Sequence, residues 1–208
     1  MARRSAPKRK RNYKKKVSPT VKQYVKRTLA ARIEDKYTDS TYASYAPTWT
    51  YNSWVTAITM PTVGTSDNER IGDKIRPTKL QICGQMYGIN VSHVIKMIFF
   101  RWHPNTTPTG NDIMDSNYTG TARAIWAPYN HNQRQSYTIL KTKQFVVSLT
   151  GTQNVPFKFN ISRKKLANIQ FANGGATGTN LIYCLMIQDG FSTLAVVDMV
   201  ARLWYEDA

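Results

Sequence analysis

From about residue 37 the chain runs in short apolar or alternating stretches rich in Thr, Tyr, Trp, Ile and Val, with clusters of Gly, Pro, Asn and Asp between them. That texture belongs to β-strands, because β-branched and aromatic side chains pack well on a pleated, half-buried surface and turn residues interrupt the ladder. Eight segments qualify: Trp49–Met60, Lys74–Asn90, Val94–His103, Ala122–Asn130, Tyr137–Leu149, Val155–Ser162, Asn180–Gln188 and Thr193–Tyr205. The tight link Asn90-Val91-Ser92-His93 predicts that the second and third pair as a hairpin, and Gly190-Phe191-Ser192 predicts the same of the last two. The long link Pro104–Thr121 carries Pro, Asn, Asp and Gly, with a short helical turn expected over Asp112–Asn117. Eight strands joined by uneven loops fit a β-sandwich, a jelly roll or a barrel, and the pattern does not choose among them.

The first 36 residues read differently. Residues 1–17 have no periodicity and too little apolar content to offset the entropy of ordering, so they are expected to be disordered in free solution. Over residues 18–34 a helical period appears. Ser18 suits an N-cap and Pro19 the first helical position, after which Val21, Tyr24, Val25, Thr28, Leu29 and Ile33 fall near one face. Glu34 and Asp35 would sit at the unfavourable end of the helix dipole, which makes 33–36 a natural stop. The domain reading is therefore a basic arm with a short amphipathic helix over 1–36, followed by a β domain over 37–208.

Charge sharpens that division. The 208 residues hold 29 Lys and Arg against 12 Asp and Glu, a net charge of +17. Twelve of the basic residues lie in the first 27: Arg3, Arg4, Lys8, Arg9, Lys10, Arg11, Lys14, Lys15, Lys16, Lys22, Lys26 and Arg27, with no acid among them. The remainder carries 17 basic and 12 acidic groups, an ordinary balance for a folded domain. A concentrated cationic arm selects polyanions, nucleic acid before an acidic membrane surface, and binds them by releasing counterions from phosphate without reading base sequence. Tyr13, inside the arm, is a candidate for stacking on a base. Lys8-Arg9-Lys10-Arg11 also has the composition of a nuclear-import signal. The charged N-terminus is not followed by an apolar stretch, and no run reaches the length of a membrane span, so no membrane partner is expected.

Candidate chemistry adds little to this. Cys83 and Cys184 are far apart and form no C-x-x-C pair, so they are expected to be thiols within strands in a reducing compartment. His93, His103 and His131 lack metal-ligand spacing, and the acids Asp67, Glu69 and Asp73, like Asp112 and Asp115, read as solvated loop residues. Gly174-Gly175-Ala176-Thr177-Gly178 precedes neither a Lys nor a helix start and reads as a flexible loop. No catalytic residue, metal ligand or cofactor is assigned. Phe99, Phe100 and Trp102 are expected in the core or a subunit interface; Trp49, Tyr51 and Trp54 fit either core or a stacking role.

One segment carries a resemblance. Arg70-Ile71-Gly72-Asp73-Lys74-Ile75-Arg76-Pro77-Thr78-Lys79-Leu80 resembles the R-x-G-D-x-I-x-P-x-x-L stretch that leads into an early strand in capsid proteins of circovirus-like, Rep-encoding circular single-stranded DNA viruses; some small plant RNA and satellite virus coat proteins show a similar stretch. The order of features is also similar over most of the chain: basic arm, short helix, this stretch, a strand ending Phe99-Phe100-Arg101-Trp102, a long loop and an apolar C-terminal strand. The resemblance implies an all-β fold of one eight-stranded jelly roll, two packed four-stranded antiparallel sheets, and self-assembly into an icosahedral shell of 60 copies. It further implies that the arm residues bind a single-stranded genome inside the virion, DNA before RNA, with import receptors as further partners and the host nucleus as the place of assembly. The arm mixes Lys with Arg where circovirus arms are longer and Arg-dominated, and phosphate neutralisation itself does not distinguish DNA from RNA. Sixty arms of twelve charges would carry roughly 720 charges, enough for a genome on the order of a thousand nucleotides. The rival reading is a non-viral β-rich nucleic-acid-binding module, OB-like or ribosomal in type, that forms no shell.

Overall fold

The computed structural model of the protein describes residues 18–24, 36–48, 55–66, 68–87, 92–121, 123–147, 154–172, 174–189 and 195–208. The chain divides into two units, Met1–Glu34 and Asp35–Ala208. In the first, residues 19–24 are helical. Ser18 caps them as its chemistry suggests: its hydroxyl accepts the Val21 N–H at 3.3 Å, and its carbonyl accepts the Lys22 N–H at 3.1 Å. The rest of the expected helix, 25–34, lies outside the described residues.

The second unit is all-β, with ten strands among the described residues rather than the eight expected: β1 (Lys36–Tyr45), β2 (Val55–Ala57), β3 (Lys74–Tyr87), β4 (His93–Trp102), β5 (Tyr137–Val147), β6 (Val155–Ser162), β7 (Ile169–Phe171), β8 (Gly178–Thr179), β9 (Leu181–Gln188) and β10 (Val196–Asp207). They form two antiparallel sheets. In one, β1 pairs β10, β10 pairs β3 and β3 pairs β6, while the short β7 and β8 extend from the start of β3. In the other the order is β2-β9-β4-β5. Phe99 on β4 meets Phe159 on β6 edge-on at 5.5 Å, and Phe145 on β5 meets Phe157 on β6 at 5.3 Å, so the two sheets face each other across an aromatic seam. Phe99 and Phe100 are fully buried and Trp102 nearly so, which settles that strand as core; each such side chain contributes about 1.5–3 kcal/mol of burial.

Two prolines fit the sheet for identifiable reasons. Pro77 lies in β3 next to a bulge, where Tyr205 pairs Pro77 and Trp204 pairs Lys79, leaving Thr78 as the extra residue. Pro156 lies on β6, which among the described residues pairs only with β3 and so offers an edge position to a residue without an N–H.

The structure corrects three expectations, the two hairpins and one strand, and adds a strand at the start of the domain. Neither expected hairpin forms: β3 and β4 lie in different sheets, as do β9 and β10. Five residues, 88–92, separate β3 from β4, and a link of that length spans the roughly 10 Å between facing sheets as readily as it closes a hairpin. Pairing is decided instead by distant partners. The inward residues Leu80, Ile82 and Met86 of β3 share a buried face with Leu203, Ala201 and Val197 of β10. The expected strand Ala122–Asn130 contains a 3-10 turn, Ala124–Trp126, and no strand among its described residues. Its apolar residues serve as a cover: Ala124 and Ile125 are fully buried, and the Ile125 carbonyl accepts from Lys96 Nζ of β4 at 3.0 Å. That cover adds to the burial of β9, a central strand that is buried at every position. The helical turn expected near 112–117 is present as a one-turn helix, Gly110–Ile113, and a 3-10 turn, Ser116–Tyr118. Finally, β1 is absent from the expected strands because two of its inward positions are polar, although Tyr42 packs on the core. Lys36 and Ser40 are buried there, satisfied by ion pairing of Lys36 with Asp207 at 3.0 Å and by the Ser40 hydroxyl, which accepts the Thr59 N–H at 2.7 Å.

Candidate nucleic-acid interface

Of the arm residues assigned to phosphate contact, Lys22 alone falls among the described residues; it stands exposed on the capped helix. Arg3, Arg4, Lys8, Arg9, Lys10, Arg11, Tyr13, Lys14, Lys15, Lys16, Lys26 and Arg27 lie outside them, as do the stacking candidates Trp49, Tyr51 and Trp54.

The Arg70–Leu80 stretch has a clear local role. Gly72 takes a positive φ of 85°, a conformation that glycine adopts without cost, and this turns the chain into β3 at Lys74. Arg70 is fully buried. One end of its guanidinium donates to the Gly72 carbonyl and lies 3.3 Å from Asp73 Oδ1; the other donates to the Gly175 carbonyl at 2.9 Å. The plane sits 3.9 Å over the Phe171 ring. Asp73 Oδ1 also accepts the Gly174 N–H at 3.0 Å, and Asp207 Oδ1 accepts the Ile71 N–H at 3.1 Å. The corner thus ties the entry of β3 to the β7–β8 turn and to the end of β10. The glycine-rich segment read as a flexible loop is therefore anchored by Arg70 at Gly175 and by Asp73 at Gly174.

Among the described residues the histidines and the loop acids do not converge on one site. His93 is buried on β4 with Nδ1 3.5 Å from Asp189 Oδ1. His103 lies 2.8 Å from the Gln135 carbonyl and 2.9 Å from Thr138 Oγ1. His131 is exposed in a turn. The loop acids serve the backbone. Glu69 accepts the Ser66 N–H at 2.9 Å, and hydrogen bonds from Ser66 hold its carboxyl below the usual range. Asp112 caps the one-turn helix through Thr109, and Asp115 accepts the Asn117 N–H at 3.0 Å. Asp67 lies outside the described residues. Among the described residues no group of three His, Cys, Asp or Glu could hold a metal ion, and no helix is long and apolar enough to cross a membrane. Both cysteines are free thiols within strands, and burial pushes that of Cys184 far up.

What the sequence alone did not reveal is an array on the solvent face of the β1-β10-β3-β6 sheet. Pairing aligns the outward residues in rows: Tyr37, Trp204, Lys79 and Ser162; then Asp39, Arg202, Gln81 and Asn160; then Thr41, Val200, Cys83 and Lys158. In the first row Lys79 Nζ lies 4.5 Å from the Trp204 ring centroid. The Arg202 guanidinium bridges rows, 4.4 Å from the Tyr37 ring and 5.7 Å from that of Trp204. Asp39 receives two hydrogen bonds from Arg202, each of 2.7 Å, and fixes its plane. Arg202-Leu203-Trp204 alternates in the sequence as a strand should, but the array exists only through cross-strand register.

The sequence matches no protein-family model and no curated protein.

Proposed function

We propose that this chain is the coat protein of a small icosahedral virus, which self-assembles into a shell and packages a single-stranded genome through its basic arm. The observation that carries the proposal is the segregation of charge: twelve of the seventeen excess positive charges lie in the first 27 residues, ahead of a β body of ordinary charge. An arm of that kind condenses nucleic acid by neutralising phosphate and carries no means of reading bases in sequence.

In this reading β1 to β6 with β9 and β10 form the jelly roll, as two four-stranded sheets ordered β1-β10-β3-β6 and β2-β9-β4-β5. Each chain link that failed to make a hairpin is a crossing between the sheets, as a jelly roll requires. The short β7 and β8 are an elaboration of the connection from β6 to β9. Support for assembly comes from apolar side chains left in solvent on loops and edges: Trp126 is 65% exposed and Ile71 63%, exposure that contact with neighbouring copies would relieve. The resemblance at Arg70–Leu80 favours single-stranded DNA over RNA as the genome, a 60-copy shell, and assembly in the host nucleus with Lys8–Arg11 as the import signal.

The test is removal of residues 1–17 from the full chain. The truncated protein is expected to lose its co-purifying nucleic acid, read from the ratio of absorbance at the nucleic-acid and protein maxima, while circular dichroism stays that of a folded β protein. Unchanged nucleic-acid content would overturn the assignment of the arm.

A further inference from the structure

We infer that the solvent face of the β1-β10-β3-β6 sheet is a second nucleic-acid site, one that holds single-stranded bases by stacking on Trp204 and Tyr37. The inference rests on the reading of the chain as a packager of nucleic acid, but on different residues and a different interaction. The arm offers charge to phosphate; this face offers rings to bases.

Three features specify such an occupant. The first is the aromatic pair itself. Tyr37 is 42% exposed on a strand, and Trp204 stands directly opposite it in register. Large rings on the open face of a sheet, with the core supplied from the other face, are the platform on which single-stranded bases stack whatever their identity. The second is charge. Lys79 and Lys158 face outward on this sheet and pair with no carboxylate among the described residues. At the same end of the sheet Glu206 is shared by Arg76 and Arg163, which leaves one positive charge in excess. A polyanion is the complement of such a face, and a base that takes the ring of Trp204 frees the Lys79 ammonium for the adjacent phosphate. The third is continuity. Two rows along β10 the same face opens into a shallow groove of about 380 Å³, its walls including Thr41, Cys83, Pro156 and Val200; its one carboxylate, Asp198, accepts hydrogen bonds from the Ser44 N–H and from Gln85, and the face stays net positive. Outward residues on a strand recur about every 6.7 Å, so one strand direction presents rings, cations and an apolar groove in succession.

The experiment compares two ligands on the full chain: an oligothymidylate about 20 nucleotides long and an abasic oligodeoxyribonucleotide of the same length and charge. The arm's cations should bind both alike, and Tyr13→Ala in every protein titrated removes the arm's own candidate for stacking. The sheet face should add roughly tenfold in affinity for the base-bearing strand per stacked base, read by fluorescence anisotropy. Joint Tyr37→Ala and Trp204→Ala substitution is expected to bring the ratio of the two affinities near one and leave abasic binding unchanged; Trp204→Phe is expected to keep most of the preference. Cross-linking of the wild-type chain to a strand carrying 5-iododeoxyuridine, followed by peptide mapping, needs no variant and should place adducts at Trp204 or Tyr37. A wild-type ratio near one, adducts confined to the arm, or variants that alter self-association but not the ratio would overturn the inference, the last because a second copy of the chain would then be the occupant. Loss of binding to both ligands on deleting 1–17 would leave the arm standing and the platform refuted.

Discussion

Replacing Arg70 by methionine isolates what the buried corner contributes. The substitution keeps much of the side-chain volume and removes the charge. It deletes the hydrogen bonds to the Gly72 and Gly175 carbonyls, the contact with Asp73 at 3.3 Å, and the stacking over Phe171 at 3.9 Å. One donor, Nε, has no partner among the described residues even in the native corner, so the native arrangement is not fully optimised. Against this, Asp73 is left without its cation and two carbonyls lose their donor. Breaking a buried pair in this way costs about 3–5 kcal/mol, the lower end applying because the Asp73 side chain is 47% exposed and can be solvated. At about 2–4 °C per kcal/mol for a chain of this size, the expected loss is roughly 10 °C in melting temperature. Arg70→Lys should recover little of it, since an ammonium has neither the fork that reaches both carbonyls nor the plane that stacks on Phe171. Thermal unfolding of the purified body followed by circular dichroism reads all three proteins. A methionine variant melting within about 1 °C of wild type, which corresponds to less than 1 kcal/mol, would refute the view that this corner anchors β3.

Other outcomes follow from the same geometry. Burial pushes the phenols of Tyr42 and Tyr205 up to about 12 from 10, so the unfolded chain releases these protons first as pH rises. Stability should accordingly be unaffected by these groups below pH 10 and fall from there toward 12; Tyr205→Phe should blunt the fall, whereas denaturant midpoints that stay level across that window would contradict the assignment. Gly84→Ala should destabilise by about 1–3 kcal/mol, because a Cβ there would overlap the Asp198 carbonyl and come 2.8 Å from the Phe157 ring; a midpoint in urea equal to wild type would show that β10 yields freely. Full engagement of the arm predicts a slope of log affinity against log salt near −8 on single-stranded DNA, with each Lys→Gln change in residues 8–16 reducing it by about 0.7; a slope near −2 would mean that most of the arm does not touch phosphate.

How much of this could be read from the chain varies with the reach of the interaction that decides it. Strands whose buried face is written in apolar residues were legible nearly to their ends, as with Val155–Ser162, where Phe157, Phe159 and Ile161 alternate inward. Strand β1 was not, because Lys36 and Ser40 occupy two of its inward positions and are satisfied by residues as distant as Asp207. Sheet membership was not legible either. A short link serves a hairpin or a sheet crossing equally, and only the complete set of facing surfaces selects one. The segment around Ile125 shows a third limit: apolar residues in a run of strand length signal burial, and here they are buried as a cover over β4 and β9. The arm was legible from charge alone. The array of Tyr37, Trp204, Arg202 and Lys79 was invisible, since its members come from three strands and one of those strands had itself been missed.

Copies of this chain are proposed to close into a shell around nucleic acid. Sedimentation velocity of the purified full-length protein, with negative-stain microscopy of the same fractions, tests it most directly. The expected result is uniform, closed particles that contain nucleic acid protected from added nuclease. A monodisperse monomer at every salt concentration, with any bound nucleic acid digested by the nuclease, would contradict it and leave the non-viral binding module as the better description.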